Sequence, residues 1–304
     1  MPGLLPRSKV FKAREAIVQH LKARGVLRSS TGSEPLTPPP DEWHAGSART
    51  SASTRASATT EGSTCMADDA PACVKMEGFG GISLHSDVKS LLECNELFGF
   101  FRDVVFGGDG HGHGDDNAVR TFDYKWIRAV GQNQFTGVHA DTVYMSRGST
   151  SLHTVWIPLG DTEAEHGSLA VIDKSHALAT YEPIRQTYGQ MDVDRDKTEG
   201  WLSRDPLEIT EKFGGVWQTA DFEAGDVLIF SMQTLHCSTT NMRRSYRLSC
   251  DVRFQPVEDP LDERWVLASD DDAPATGKKQ GTGHTSHGKI KLRSMEDARR
   301  EWGI

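Results

Sequence analysis

The segment Phe135-Thr-Gly-Val-His-Ala-Asp141 places a histidine and a carboxylate two residues apart, between stretches of strand-like pattern. Side chains i and i+2 of a strand share a face, so His139 and Asp141 aim an imidazole and a carboxylate at one point. A third donor comes from elsewhere: the apolar run Asp226–Phe230 leads to His236, 95 residues past Asp141 (236 minus 141). Two imidazoles and one carboxylate on one face of an octahedral ion leave three positions open, the donor set of oxygen-activating non-haem iron(II). A bidentate keto acid and dioxygen both fit there, whereas a closed four-ligand zinc site leaves no room. Eleven residues beyond His236 (247 minus 236), Arg247 lies in a strand pattern with Ser249 on the same face. A guanidinium fork captures a carboxylate with two hydrogen bonds, and Ser249 adds a hydroxyl, so the pair suits an acidic co-substrate. Arg243, Arg244 and Arg253 compete for that role; the first two read as exposed turn residues, and Arg253 shares the face of Arg247 six residues on.

Other histidines are weaker candidates. His85-Ser-Asp87 repeats the spacing, but Ser86 or Asp87 stands where a cap would start the following helix. His111-Gly-His113, followed by Asp115-Asp116, sits in a glycine-spaced loop without the rigid support a catalytic site needs. His153, His166 and His176 read as structural or pocket-lining. Near the metal segment, Tyr144, Arg128 and Arg147 are candidate substrate contacts, and alternation sends Lys125 to the face opposite Trp126 and Arg128.

The elements that must position these groups are short runs of aromatic and β-branched residues interrupted by Gly, Asp, Asn and Pro. The pattern predicts strands at Thr121–Val130, Thr142–Arg147, Leu152–Pro158, Ser168–Asp173, Val216–Phe222, Asp226–Phe230 and Tyr246–Gln255. Many short strands argue a sandwich or closed barrel rather than a βαβ fold. Asp87–Phe106 is dense in Leu and Phe at helical spacing and predicts a helix packed on the outside.

The chain divides by composition. Residues 1–28 predict a helix packing on the core, with Val10, Phe11, Ile17, Val18 and Leu21 on one face and Gly25 to end it. Between residues 46 and 64, fourteen of nineteen residues are Ser, Thr or Ala, so 29–72 reads as a disordered insertion. Residues 73–268 form the catalytic domain, and 269–304 a loose tail with a short helix from Ser294 to Trp302.

A formal charge of −9 over 304 residues, with no Lys/Arg-rich face, argues against nucleic acid. No apolar run approaches membrane-helix length, so no membrane partner is expected, and the chain is expected to be a monomer or weak dimer. Five cysteines without a C-x-x-C pair suit free thiols in a reducing compartment. That favours the cytoplasm, although seven Arg/Lys against one acid in residues 1–29 also suit a mitochondrial presequence.

Taken together, His139-x-Asp141, His236 and Arg247 resemble the phytanoyl-CoA dioxygenase family of iron(II)/2-oxoglutarate oxygenases. Thr154-Val-Trp-Ile-Pro-Leu159, Glu165-His-Gly-Ser-Leu169, Lys174-Ser-His176 and Gly225-Asp226-Val227 are similar to further family motifs over roughly residues 80–266, with Lys174 where glycine is usual. The resemblance implies a mainly β, jelly-roll (cupin-like) double-stranded β-helix with flanking α-helices. It also implies Fe(2+), 2-oxoglutarate and O2 as reactants, with Arg247 on the far carboxylate, Ser238 as a hydroxyl partner and Trp156 as a pocket wall. Related halogenases carry Gly or Ala in place of the carboxylate, so Asp141 disfavours halogenation. The expected reaction is hydroxylation of a small molecule with release of succinate and CO2. Two rivals stand beside it: a cupin-like binding protein without catalysis, since fold alone does not imply activity, and a zinc or manganese isomerase or hydrolase.

Overall fold

The computed structural model describes residues 1–27, 64, 66, 70–107, 118–267 and 292–304. The glycine-spaced His111-Gly-His113 loop, nearly all of the Ser/Thr/Ala-rich segment and all of 269–290 lie outside these residues.

Two antiparallel sheets face each other. The larger contains β1 (Cys73–Lys75), β2 (Val119–Thr121), β3 (Trp126–Val130), β4 (His153–Pro158), β7 (Leu228–Ser231) and β9 (Arg247–Pro256). Its order is β1-β3-β9-β4-β7, with β2 also pairing β9. The smaller runs β6-β5-β8, where β5 is Leu169–Ile172, β6 is Trp217–Gln218 and β8 is His236–Ser238. Val138 and His139 extend it through bridges to Ser203 and His236. The result is a double-stranded β-helix.

Strand β9 carries the logic of the barrel in its sequence. Leu248, Cys250, Val252 and Phe254 alternate with Arg247, Ser249, Asp251, Arg253 and Gln255, and every one of the nine is buried. The apolar set faces outward into a cluster with Val10, Ile17 and Leu21 of α1 (Arg7–Ala23), and with Leu91, Leu92 and Leu97 of α2 (Ser86–Leu92) and α3 (Asn95–Phe100). Each such side chain contributes about 1.5–3 kcal/mol by burial. The polar set faces inward, so this barrel has its apolar core between sheet and helices and keeps its interior for chemistry. A second cluster closes the small sheet's outer face: Ala170, Ile172 and Cys237 pack with Tyr181, Tyr188, Ile209 and Met295.

Several expectations are corrected. Thr142–Arg147 is not a strand: Asp141–Val143 forms one 3-10 turn, with Tyr144 N donating to Asp141 O at 3.0 Å. Local hydrogen bonds win there because Val143 and Met145 bury their side chains from the turn itself. Thr121–Val130 splits into β2 and β3, and of Val216–Phe222 only Trp217–Gln218 forms a strand, with Phe222 in an isolated bridge to Thr162. The stretch Asp87–Phe106 breaks at Cys94, which is extended (φ −83°, ψ 154°), and ends in a π turn over Phe101–Val105. The break lets both Leu91–Leu92 and Leu97 with Phe101 reach the same core. The cap of α2 is His85 itself, whose Nδ1 accepts from Asp87 N at 3.3 Å. The helix at Met295–Trp302 starts on Ser294, whose Oγ accepts from Asp297 N at 3.1 Å. The four described cysteines, Cys73, Cys94, Cys237 and Cys250, are free. No helix among the described residues is long and apolar enough to cross a membrane.

Candidate metal centre

His139, Asp141 and His236 converge, with one donor atom from each lying within 4.8 Å of the other two. All three are buried, at 7%, 3% and 4% exposure. The Nε2 atoms of His139 and His236 each stand 3.8 Å from Asp141 Oδ1, and the imidazole centroids are 4.1 Å apart. The two histidines reach this point from paired backbone of the small sheet. Asp141 reaches it as the first residue of the 3-10 turn, so the turn, and not strand alternation, aims its carboxylate.

The outer contacts fix which atoms remain for a metal. His139 Nδ1 donates to Gly137 O at 2.8 Å and His236 Nδ1 to Thr234 O at 3.0 Å, in the tautomer that leaves both Nε2 lone pairs inward. Asp141 Oδ2 accepts from Thr154 Oγ1 and from Arg253 Nη2, the latter at 2.9 Å, which leaves Oδ1 toward the imidazoles. Burial pushes the His139 imidazolium down to about 3, with His236 beside it adding repulsion, so the ring is neutral and able to ligate near neutral pH. Burial opposes the Asp141 charge, yet Arg253 and the two imidazoles outweigh it and hold the carboxyl well below its usual range. A neutral imidazole at His139 beside an ionised Asp141 carboxylate suits ligation of a divalent ion.

Beside these residues lies a cavity of about 330 Å³, whose wall includes Trp126, Arg128, Tyr144, Trp156, Arg247 and Arg253. Arg247 is 3% exposed, its guanidinium carbon is 5.8 Å from the centre of the Trp156 ring, and Nη1 donates to Ser249 Oγ. Its Nε has no hydrogen-bond partner, no carboxylate pairs with it among the described residues, and burial lowers the guanidinium to about 10. A buried cation with an unpartnered N–H has the chemistry to receive a carboxylate.

The remaining sequence candidates divide. Tyr144, Trp156 and Arg128 line the cavity. Ser238 is 5% exposed, lies outside the cavity wall, and accepts from Thr136 N at 2.8 Å. Arg147 is a correction. Because residues after Asp141 leave the extended conformation, its side chain turns away from the metal cavity and clamps Asp192, Nε to Oδ2 at 2.6 Å and Nη2 to Oδ1 at 3.0 Å. Lys125 lies off the cavity and pairs with Glu93 at 3.1 Å. His153 packs against Phe106, and Arg243 pairs with Glu165 at 2.6 Å.

Sequence reading missed the roles of Thr154, Asp251 and Glu77, and weighed Arg253 only as a rival anchor. Thr154 and Arg253, opposite one another in the β4–β9 register, both hold Asp141, and Asp251 and Glu77 line the cavity. The alternation Arg-x-Ser-x-Asp-x-Arg along β9 carried the signal for Asp251 and Arg253. Glu77 follows β1 in an irregular segment, where no periodicity marks it.

A jelly-roll barrel with two imidazoles and a carboxylate converging inside it defines the class of mononuclear non-haem metal oxygenases. The family model for phytanoyl-CoA dioxygenase (PhyH) matches residues 74–249, and the chain belongs to that family. It is an iron- and 2-oxoglutarate-dependent oxygenase. No curated protein matches it. Solved structures similar to it include the non-heme alpha ketoglutarate dependent carbocyclase SnoK from nogalamycin biosynthesis, at 17% identity and TM-score 0.49, covering 85% of this chain and 79% of that one. The epimerase SnoN, in complex with Fe3+, alpha ketoglutarate and nogalamycin RO, is 16% identical, with TM-score 0.49 and coverage of 94% and 90%. HygX from Streptomyces hygroscopicus, with nickel and 2-oxoglutarate bound, is 11% identical, with TM-score 0.47 and coverage of 85% and 82%.

Proposed function

We propose that this oxygenase hydroxylates a small organic molecule: one atom of dioxygen enters a substrate C–H bond, and the other enters the succinate formed as 2-oxoglutarate loses CO2. His139, Asp141 and His236 are the metal ligands in this reading. The observation that carries it is that this triad and the orphaned Arg247 guanidinium share one buried cavity. Bound iron(II) supplies dioxygen activation and the oxidising power, and the protein supplies geometry and exclusion of water.

Each residue then has a task. The Nδ1–H bonds to Gly137 and Thr234 carbonyls keep the imidazoles in register, and Thr154 with Arg253 occupies Asp141 Oδ2, so the carboxylate ligates through Oδ1. Arg247, backed by Ser249, receives the far carboxylate of 2-oxoglutarate, and Trp156 forms the wall beside it. Arg253 is the poorer anchor. It already touches a ligand carboxylate, whereas the far end of a five-carbon diacid chelated through C1 and C2 lies several bonds away from the metal. Tyr144 and Arg128 face the substrate space.

The test is succinate release from 2-oxoglutarate by protein loaded anaerobically with iron(II) and then exposed to oxygen. Release that requires both metal and oxygen, and that vanishes in His139→Ala, Asp141→Ala and His236→Ala with unchanged circular dichroism, is expected. Wild-type turnover in any of the three refutes the ligand assignment. Tight 2-oxoglutarate binding with no succinate would instead favour the non-catalytic binding protein. Comparing metabolites consumed by wild type and His236→Ala identifies the substrate.

A further inference from the structure

We propose that Arg253 receives a carboxylate of the substrate, so that this enzyme acts on a carboxylic acid with a flat apolar body. The inference rests on the oxygenase reading above and deepens it. Arg253 is 4% exposed and lines the metal cavity. Its Nη2 donates to Asp141 Oδ2 at 2.9 Å, but Nε and Nη1 find no hydrogen-bond partner, and Nη1 stands 4.0 Å from Asp251 Oδ2. A buried guanidinium with two idle nitrogens is costly unless something in the working enzyme accepts from them.

Charge pairing points to an anion. Arg128 stands 3.3 Å from Asp251 and 3.6 Å from Glu77, and Lys75 stands 3.8 Å from Glu77, so two cations and two carboxylates offset each other at this side of the cavity. Arg247 is assigned to the co-substrate. Asp141 is the counter-charge of Arg253 in the protein alone, but a metal dication claims the same carboxylate. Among the described residues lining the cavity, Arg253 is then the cation whose charge is left unmatched, and one negative group on the substrate matches it.

The surroundings define the rest of the molecule. The guanidinium lies 4.3 Å from the centre of the Trp126 ring, and Trp265 is 5.0 Å from Trp126, both in the cavity wall with Tyr144 and Met145. A carboxylate engaged here brings an apolar or aromatic body against these rings and the carbons next to it toward the metal ligands. A carboxylate suits these donors because its charge strengthens each N–H···O bond and its two oxygens carry several acceptor lone pairs.

The experiment is calorimetric titration of protein loaded anaerobically with iron(II) and 2-oxoglutarate, using 3-phenylpropanoate and its neutral amide, 3-phenylpropanamide. Wild type is expected to bind the acid at least about tenfold more tightly than the amide. Arg253→Gln is expected to erase that preference, and Arg253→Lys to keep part of it. A residue that merely braced Asp141 would alter metal affinity without touching the choice between acid and amide. Equal affinities in wild type, no binding of either probe, or a preference that survives in Arg253→Gln overturns the proposal. Failure of wild type to bind 2-oxoglutarate at all would instead bring down the oxygenase reading beneath it.

Discussion

His139 and His236 exchange both of their backbone hydrogen bonds, each N–H donating to the other's carbonyl at 2.9 Å. In such a hydrogen-bonded antiparallel pair, the two side chains leave the sheet on the same face from Cα atoms about 5.5 Å apart. The spacing of the imidazoles is therefore a property of the ladder, set before any metal arrives. Only Asp141 is placed by other means, its 3-10 turn and the grip of Thr154 and Arg253 on Oδ2.

That grip is open to test. Thr154→Val keeps the shape of the side chain and removes the hydroxyl that donates to Asp141. Metal affinity, read by titration, should fall by about 10- to 100-fold, as for other partners of metal ligands, with little change in melting temperature. Unaltered affinity would mean that Arg253 alone orients the carboxylate.

For Arg247, replacement by Met leaves the Trp156 wall but removes the carboxylate fork. The KM for 2-oxoglutarate should rise by roughly 100-fold, the equivalent of about 3 kcal/mol, while metal binding measured without co-substrate stays as in wild type. An unchanged KM would move the anchoring role to another residue.

Gly200 faces Tyr144 so closely that a Cβ there would overlap the phenol ring and hydroxyl. Gly200→Ala is expected to push Tyr144, which lines the cavity and sits edge-on to His139 at 5.9 Å, out of its place. Substrate-coupled oxidation should fall well below uncoupled 2-oxoglutarate turnover in this variant. Equal loss of both reactions would show that the damage reaches the metal ligands themselves.

Arg147→Ala should leave metal and 2-oxoglutarate binding untouched and cost about 1 kcal/mol of stability, a value reduced by the solvent around the half-exposed arginine. Burial opposes the Asp192 charge, but Arg147 and backbone N–H groups hold its carboxyl below the usual range. A depressed carboxylate contributes its stability above the unfolded-state value of about 3.9 and loses it as pH falls further. Urea midpoints of wild type and variant should thus differ at neutral pH and draw together progressively as pH falls below about 4. A gap independent of pH would remove Asp192 from the explanation.

Much of the site was legible in the chain because ligand chemistry is local: His139-x-Asp141, the apolar run into His236, and the alternating face that carries Arg247 and Ser249 are all short-range patterns. Strand periodicity pointed to a sandwich or closed barrel, and the family resemblance implied the double-stranded β-helix. Arg147 could not be placed, since strand alternation was extended through a segment where the 3-10 turn after Asp141 redirects every later side chain. Thr154, Arg253, Asp251 and Glu77 gained their roles only when β1, β3, β4 and β9 were laid side by side. Sequence determines which donors exist and which face of its own strand each one occupies, because those depend on backbone geometry over a few residues. Tertiary structure decides which charges share a desolvated space, because that depends on strand register between segments more than a hundred residues apart.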